Sequence, residues 1–108
     1  MKIPHRLQLA NLPTKIEKLA KLTKELGGPD IYIKRDDQTG TEFSGNKIRK
    51  LEYSIKEALD LGCDALITCG GIQSNHCRAA AAVAAKYSMK CILVLMGEQN
   101  AAPEGNLL

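Results

Sequence analysis

The stretch from residue 64 to residue 96 constrains the fold more than any other. Asp64-Ala65-Leu66-Ile67-Thr68-Cys69 is a short, mostly apolar run that reads as a buried strand. Gly70-Gly71 follows directly. Ser74 and Asn75 then offer good N-cap side chains ahead of an alanine-rich run to Tyr87, a strong helix former. The segment from Met89 to Met96 is again mostly apolar. A strand (64–69), a helix (75–87) and a strand (90–96) with short connections make a βαβ unit. Such a unit requires parallel pairing with helices laid on the sheet. The fold class is therefore α/β, a parallel sheet with flanking helices.

The chain of 108 residues is long enough for one small core and too short for two ordinary domains. With 44% hydrophobic and 25% charged residues it has the balance of a globular protein, and with 4% aromatics its core must be built from Ala, Ile, Leu and Val. The net charge of +3 is spread among acids, so neither nucleic acid nor a membrane surface is implied as a partner. Cysteines stand at 63, 69, 77 and 91 without Cys-x-x-Cys spacing, which argues against a structural zinc site or a redox dithiol. Cys69 and Cys91 fall in apolar runs, where a reduced cysteine packs as a small hydrophobe. With neither a signal peptide nor an apolar run long enough to cross a bilayer, a reducing cytoplasm is the expected location.

Upstream, residues 1–12 read as an extended arm. Thr14-Lys15-Ile16-Glu17 has the pattern of a capping box. It predicts a helix to residue 26 with Ile16, Leu19, Leu22 and Leu26 on one stripe, stopped by Gly27-Gly28-Pro29. Residues 30–34 read as a strand and 35–40 as a loop. A second helix is predicted from about 46 to 61, with Ile48, Leu51, Ile55 and Leu59 at helical spacing and Gly62 as its stop. Asn106-Leu107-Leu108 reads as the start of a further helix, and the pattern suggests a chain cut within a larger fold.

Two stretches can carry chemistry. In Ser44-Gly45-Asn46-Lys47-Ile48-Arg49-Lys50 a small turn runs straight into a helix-forming segment, which places Lys47 in the first helical turn. Partial positive charge on the free N–H groups there, and Lys50 one turn on, both disfavour an ammonium at 47. They favour the free amine that condenses with a carbonyl. The alternative is a solvated basic face made of Lys47, Arg49 and Lys50.

The other stretch is Cys69-Gly70-Gly71-Ile72-Gln73-Ser74-Asn75-His76. In open α/β sheets, ligands sit beyond the carboxyl ends of strands where a loop enters a helix. Glycines let a ligand approach the backbone, N–H groups at Asn75 and His76 can hold an anion such as a carboxylate, and Ser74 and Asn75 add polar side chains. The alternative makes Ser74 a plain N-cap and His76 a surface residue. A phosphate-loop reading of residues 40–47 fails because Asn46 stands where the lysine belongs. A metal reading fails too: His5 and His76 are isolated, and Asp36-Asp37 lacks a further ligand nearby in sequence.

Together, Ile33-Lys34-Arg35-Asp36-Asp37, the 44–53 stretch ending Leu51-Glu52-Tyr53, and Gly71-Ile72-Gln73-Ser74-Asn75-His76 resemble the D-cysteine desulfhydrase and 1-aminocyclopropane-1-carboxylate deaminase family. These are pyridoxal-phosphate enzymes of the tryptophan-synthase β-subunit fold group, fold type II. The resemblance runs from about Leu9 to Leu108 and implies an N-terminal fragment of a two-domain enzyme. Residues 1–50 would begin the large cofactor-binding domain and 51–108 the smaller α/β domain. On that analogy, strand 30–34 and strands 64–69 and 90–96 lie in different sheets.

The resemblance further implies an imine from Lys47 to pyridoxal 5'-phosphate, with Lys50 near the cofactor's phosphate and Asn75 on its phenolic oxygen. Ser74, with the backbone at Asn75 and His76, would hold the substrate carboxylate and assist at the reacting carbon. The expected activity is β-elimination of D-cysteine to pyruvate, sulfide and ammonia, in a homodimer when full length. The alternatives are 1-aminocyclopropane-1-carboxylate deamination and a non-catalytic truncated α/β module. The remaining cofactor contacts are expected outside this chain, so the 108-residue piece alone should bind cofactor poorly and turn over nothing measurable.

Overall fold

A computed structural model describes residues 3–40, 45–98 and 103–107. Its organising unit is the βαβ segment. β3 (Ala65–Gly71) runs parallel to β4 (Lys90–Met96), with α3 (Asn75–Lys86) crossing between them. The register sets Leu66 beside Cys91, Thr68 beside Leu93 and Gly70 beside Leu95. These residues are half-buried toward α3, while Ile67, Ile92, Val94 and Met96 on the opposite face are exposed. Alternation along a strand puts every second side chain on one face, and among the described residues only one face is covered. The predicted strand ended at Cys69. β3 instead continues through both glycines, because Gly70 and Gly71 keep their pairing with Leu95 and Met96.

α2 (Ile48–Asp60) packs beside α3. Ile48, Leu51 and Ile55 fall on one stripe at helical spacing and bury against Ala79, Val83, Ala84 and Met89. Ile48 and Ile55 are fully enclosed, worth about 1.5–3 kcal/mol each. The stripe also contains Glu52, 1% exposed, whose carboxylate is matched by the N-terminal arm. Its Oε1 accepts from the Leu9 amide (2.9 Å) and the Ala10 amide (3.0 Å), and its Oε2 accepts from Arg6 (3.1 Å). The Leu7 amide donates to the Glu52 carbonyl at 3.0 Å. A buried carboxylate is tolerable only when so bonded. The arm is thereby seated, with Leu7 and Leu9 packed on the core.

The helix predicted over residues 14–26 is shorter. Ile16–Lys18 forms β1, antiparallel to β2 (Tyr32–Lys34), and only Ala20–Leu26 is helical (α1). Thr14 does not cap: its hydroxyl donates to Asp36, and its carbonyl accepts from the Lys34 amine. Glu17 turns to Arg35 at 2.8 Å instead of back to the chain start. The Arg35 amide donates to the Lys15 carbonyl at 2.9 Å and the Leu19 amide to the Ile31 carbonyl at 2.8 Å. Tertiary pairing has overridden local helix propensity. Ile16 and Leu26 stay largely exposed, so the expected apolar stripe is not buried. β1–β2 and β3–β4 are separate sheets. The radius of gyration is 17.2 Å, above the ~13 Å of a closed domain this size. Residues 105–107 form a 3-10 turn, while Leu108 lies outside the described residues.

Candidate active site

Lys47 is the N-cap residue of α2 rather than a member of its first turn. Its backbone is helical, at φ −71° and ψ −29°, and its carbonyl accepts from the amides of Lys50 (3.0 Å) and Leu51 (3.2 Å). The preceding turn depends on Gly45, at φ +102°, a conformation that glycine alone adopts easily. Ser44 lies outside the described residues. A 3-10 turn, Asp36–Gln38, holds Gly45 from behind. The Gly45 amide donates to the Asp36 carbonyl at 3.1 Å. The hydroxyl of the fully buried Thr39 lies 3.0 Å from the Gly45 carbonyl and 3.1 Å from that of Asp36.

Arg49 does not join a solvated basic face. Its Nε and a terminal nitrogen grip the two oxygens of Asp36 at 2.8 and 2.7 Å, and Thr14 donates to the same carboxylate at 2.8 Å. The paired, charge-assisted bonds from Arg49, with the Thr14 hydroxyl second, hold the Asp36 carboxyl down at about 2.

The second stretch closes onto the first. Ser74 is the N-cap of α3, and its Oγ accepts from the Cys77 amide at 3.2 Å. That leaves the Asn75 and His76 N–H groups at a helix start, where no earlier carbonyl can reach them within the helix. The strand end must come close for this turn to form. A β-carbon on Gly70 would stand 2.7 Å from Ser74 Oγ and 2.8 Å from Cys77 Sγ. On its other side the turn meets Gly45, whose β-carbon, if present, would lie 3.3 Å from Asn75 Nδ2. The structure thus brings the Lys47 turn and the Ser74–Asn75 turn together.

Two other predicted residues sit differently. The His76 ring turns back to the strand, its Nε2 2.9 Å from Thr68 Oγ1, which leaves its backbone N–H as the group at the helix start. Lys50 is exposed and lines an open groove of about 530 Å³ with Pro4, His5, Tyr53 and Glu57, a wall that Ser74 and Asn75 do not share.

Gln73 ties the Ser74–Asn75 turn to the segment at residues 104–106, a link that sequence reasoning passed over. Its side chain donates to the Glu104 carbonyl (3.1 Å) and accepts from the Asn106 amide (3.0 Å), while Asn106 Nδ2 donates to the Gln73 carbonyl (3.0 Å). Asp36, Arg49, Thr39 and Glu52 were missed in the same way. Of these, Glu52 alone left a local signal, an acid set into an apolar helical stripe.

Residues 7–107 match the family described as pyridoxal-phosphate dependent enzyme. A 1-aminocyclopropane-1-carboxylate deaminase of Mesorhizobium japonicum is 58% identical over 83 residues, covering 75% of this chain and 25% of that protein. A D-cysteine desulfhydrase of Salmonella newport is 52% identical over 90 residues, covering 83% of this chain and 27% of that protein. A solved structure of an ACC deaminase homologue superposes with a TM-score of 0.85 at 42% identity, over 96% of this chain and 31% of that one. The chain therefore spans about a quarter of the length of these curated relatives. By sequence and by fold, the chain belongs to the pyridoxal-phosphate dependent enzymes.

Proposed function

We propose that this chain supplies the lysine and the substrate-carboxylate turn of a pyridoxal-phosphate-dependent enzyme acting on a small amino acid. The observation that carries the reading is the approach of Gly45, two residues before Lys47, to the side-chain amide of Asn75 at 3.3 Å from an ideal β-carbon. The turn that carries Lys47, one side-chain amide and one helix start meet there, which fits a group with an aldehyde, a phenolic oxygen and a nearby carboxylate-bearing substrate. When bound, pyridoxal phosphate supplies the electron sink for the breaking bond.

The chain's own residues divide the remaining work. Lys47 would hold the cofactor through its amine, and the same group would afterwards carry protons. Asn75 would hold the phenolic oxygen through its side-chain amide. The N–H groups of Asn75 and His76, with the Ser74 hydroxyl, orient the substrate carboxylate. Lys50 stands as the candidate for the cofactor phosphate. In the same reading residues 1–50 belong to the larger domain and 51–108 to the smaller one, in a cytoplasmic homodimer at full length.

Elimination from D-cysteine, giving pyruvate, sulfide and ammonia, is the first reading of the activity. Ring-opening deamination of 1-aminocyclopropane-1-carboxylate is the second, favoured by relatives of that name at 54–58% identity. Sulfide release separates the two, since only the first substrate contains sulfur; it is measured on a chain extended to the relatives' length. For Lys47 the deciding test, on the same extended chain, is trapping: incubation with pyridoxal phosphate, borohydride reduction and peptide mapping. Preferential labelling of Lys47, lost in Lys47→Ala, is the expected result. Equal labelling of Lys47 and the outlying Lys86 and Lys90 would overturn the reading.

A further inference from the structure

Asp36 acts on the chain at two points that flank Lys47. Its backbone carbonyl accepts from the Gly45 amide at 3.1 Å, two residues before the lysine. Its carboxylate is gripped by Arg49 at 2.7 and 2.8 Å, two residues after. The bracket is itself braced. Thr14 donates to the carboxylate at 2.8 Å, Thr39 bridges the Asp36 and Gly45 carbonyls, and the Asn11 amide donates to the Thr39 carbonyl at 2.9 Å. The neighbouring Asp37 does none of this; it pairs with Arg35 on the exposed side.

A lysine side chain has four rotatable bonds and is placed only as well as the backbone that carries it. A bidentate Arg–carboxylate pair fixes both distance and plane, and small misplacements of a reacting group are costly in rate. We propose that Asp36 is the positioning residue for Lys47, setting the lysine's seat against Asn75 by holding Gly45 on one side and Arg49 on the other. The proposal rests on the reading of Lys47 given above.

Its test uses a chain extended to the relatives' length and two readouts. The first is the rate of borohydride-trapped labelling by pyridoxal phosphate at Lys47, with Lys86 and Lys90 as internal references. The second, free of cofactor, is amide exchange at Gly45 together with the NMR shift of the Asn75 side-chain amide. Asp36→Asn should slow labelling at Lys47 by about tenfold or more, leave Lys86 and Lys90 unchanged, speed exchange at Gly45 and move the Asn75 signal. Asp37→Asn should change none of these. Arg49→Lys, which keeps the charge and loses the fork, should give an intermediate effect and serves where Asp36→Asn does not fold.

The proposal is overturned if Asp36→Asn, or Arg49→Lys in its place, leaves Gly45 exchange and the Asn75 signal as in the parent chain. It is equally overturned if Lys47 is preferred in the parent and the variant labels it at the same rate. Absence of any Lys47 preference in the parent, with the NMR effects present, would remove the assignment of Lys47 and leave the bracket standing as a determinant of the turn.

Discussion

Gly45 and Asn75 meet so closely that a single methyl group at 45 would stand 3.3 Å from the Asn75 amide nitrogen. Two penalties would act on Gly45→Ala. The backbone there has φ +102°, which costs a residue with a β-carbon about 1–3 kcal/mol, and Asn75 must yield by a few tenths of an ångström. Gly40, at φ +145° with nothing within 4 Å of its ideal β-carbon, provides a control with strain alone. Gly45→Ala is expected to lower urea stability by about 1–3 kcal/mol. It should also weaken trapping at Lys47, whereas Gly40→Ala should lower stability and spare the labelling preference.

Glu52 makes a different kind of link, between helix and arm. Glu52→Ala would strip the acceptor from the Leu9 and Ala10 amides and from Arg6, leaving donors without their partner and a void in the stripe. A loss of about 3 kcal/mol is expected. Glu52→Gln keeps an acceptor oxygen for the two amides and loses the charge that holds Arg6, so its cost should be smaller, about 1–2 kcal/mol. Urea unfolding checks the order. Amide exchange at Leu9 and Ala10 checks the cause, rising sharply in the alanine variant and little in the glutamine variant.

Acid should act through Asp36. Its carboxyl sits at about 2 in the folded chain against an ordinary 3.8, held down chiefly by Arg49. A carboxyl lowered on folding stabilises the chain fully above its unfolded value, and that contribution is lost as pH falls toward the folded value. The window is therefore from about pH 4 down to about pH 2. Urea midpoints measured across it should fall with acid in the parent chain. Asp36→Asn should show a shallower fall, with a lower midpoint at neutral pH. An unchanged acid slope in the variant would assign the acid sensitivity to other carboxyls.

What could be read in the sequence follows from the range of the forces involved. β3, α3 and β4 are specified by period and by glycine and serine punctuation within a few residues, and they stand almost where expected. α2 is legible for the same reason. β1 was not, because Thr14-Lys15-Ile16-Glu17 satisfies a local capping pattern while its real partners, Asp36, Lys34 and Arg35, arrive from a distant stretch. The same limit hid the Asp36–Arg49 pair. Each member looked like surface charge, and only the fold sets them together. Lys47, Ser74 and Asn75 could be named as candidates from local chemistry. Their meeting through Gly45 depends on α2 packing on α3, which no local window contains.

Gly70 and Gly71 are adjacent and alike in sequence, yet the structure assigns them unequal tasks. A β-carbon at 70 would penetrate the Ser74 hydroxyl and the Cys77 sulfur, at 2.7 and 2.8 Å. Neither is the end of a long flexible chain: Ser74 is the α3 cap and Cys77 is 3% exposed in the core. At 71 the nearest atom is the Met96 carbonyl at 3.8 Å, an ordinary contact, and neither glycine has positive φ. Gly70→Ala should therefore push α3 off the strand end and cost about 1–3 kcal/mol by overpacking, while Gly71→Ala should stay within about 0.5 kcal/mol of the parent. Because the Ser74 cap moves with α3, Gly70→Ala should also shift the NMR signals of the Ser74, Asn75 and Cys77 amides, and Gly71→Ala should leave Cys77 in place. Equal stability losses for the two variants would show that the close approach of β3 to the Ser74 turn does not set the position of that turn.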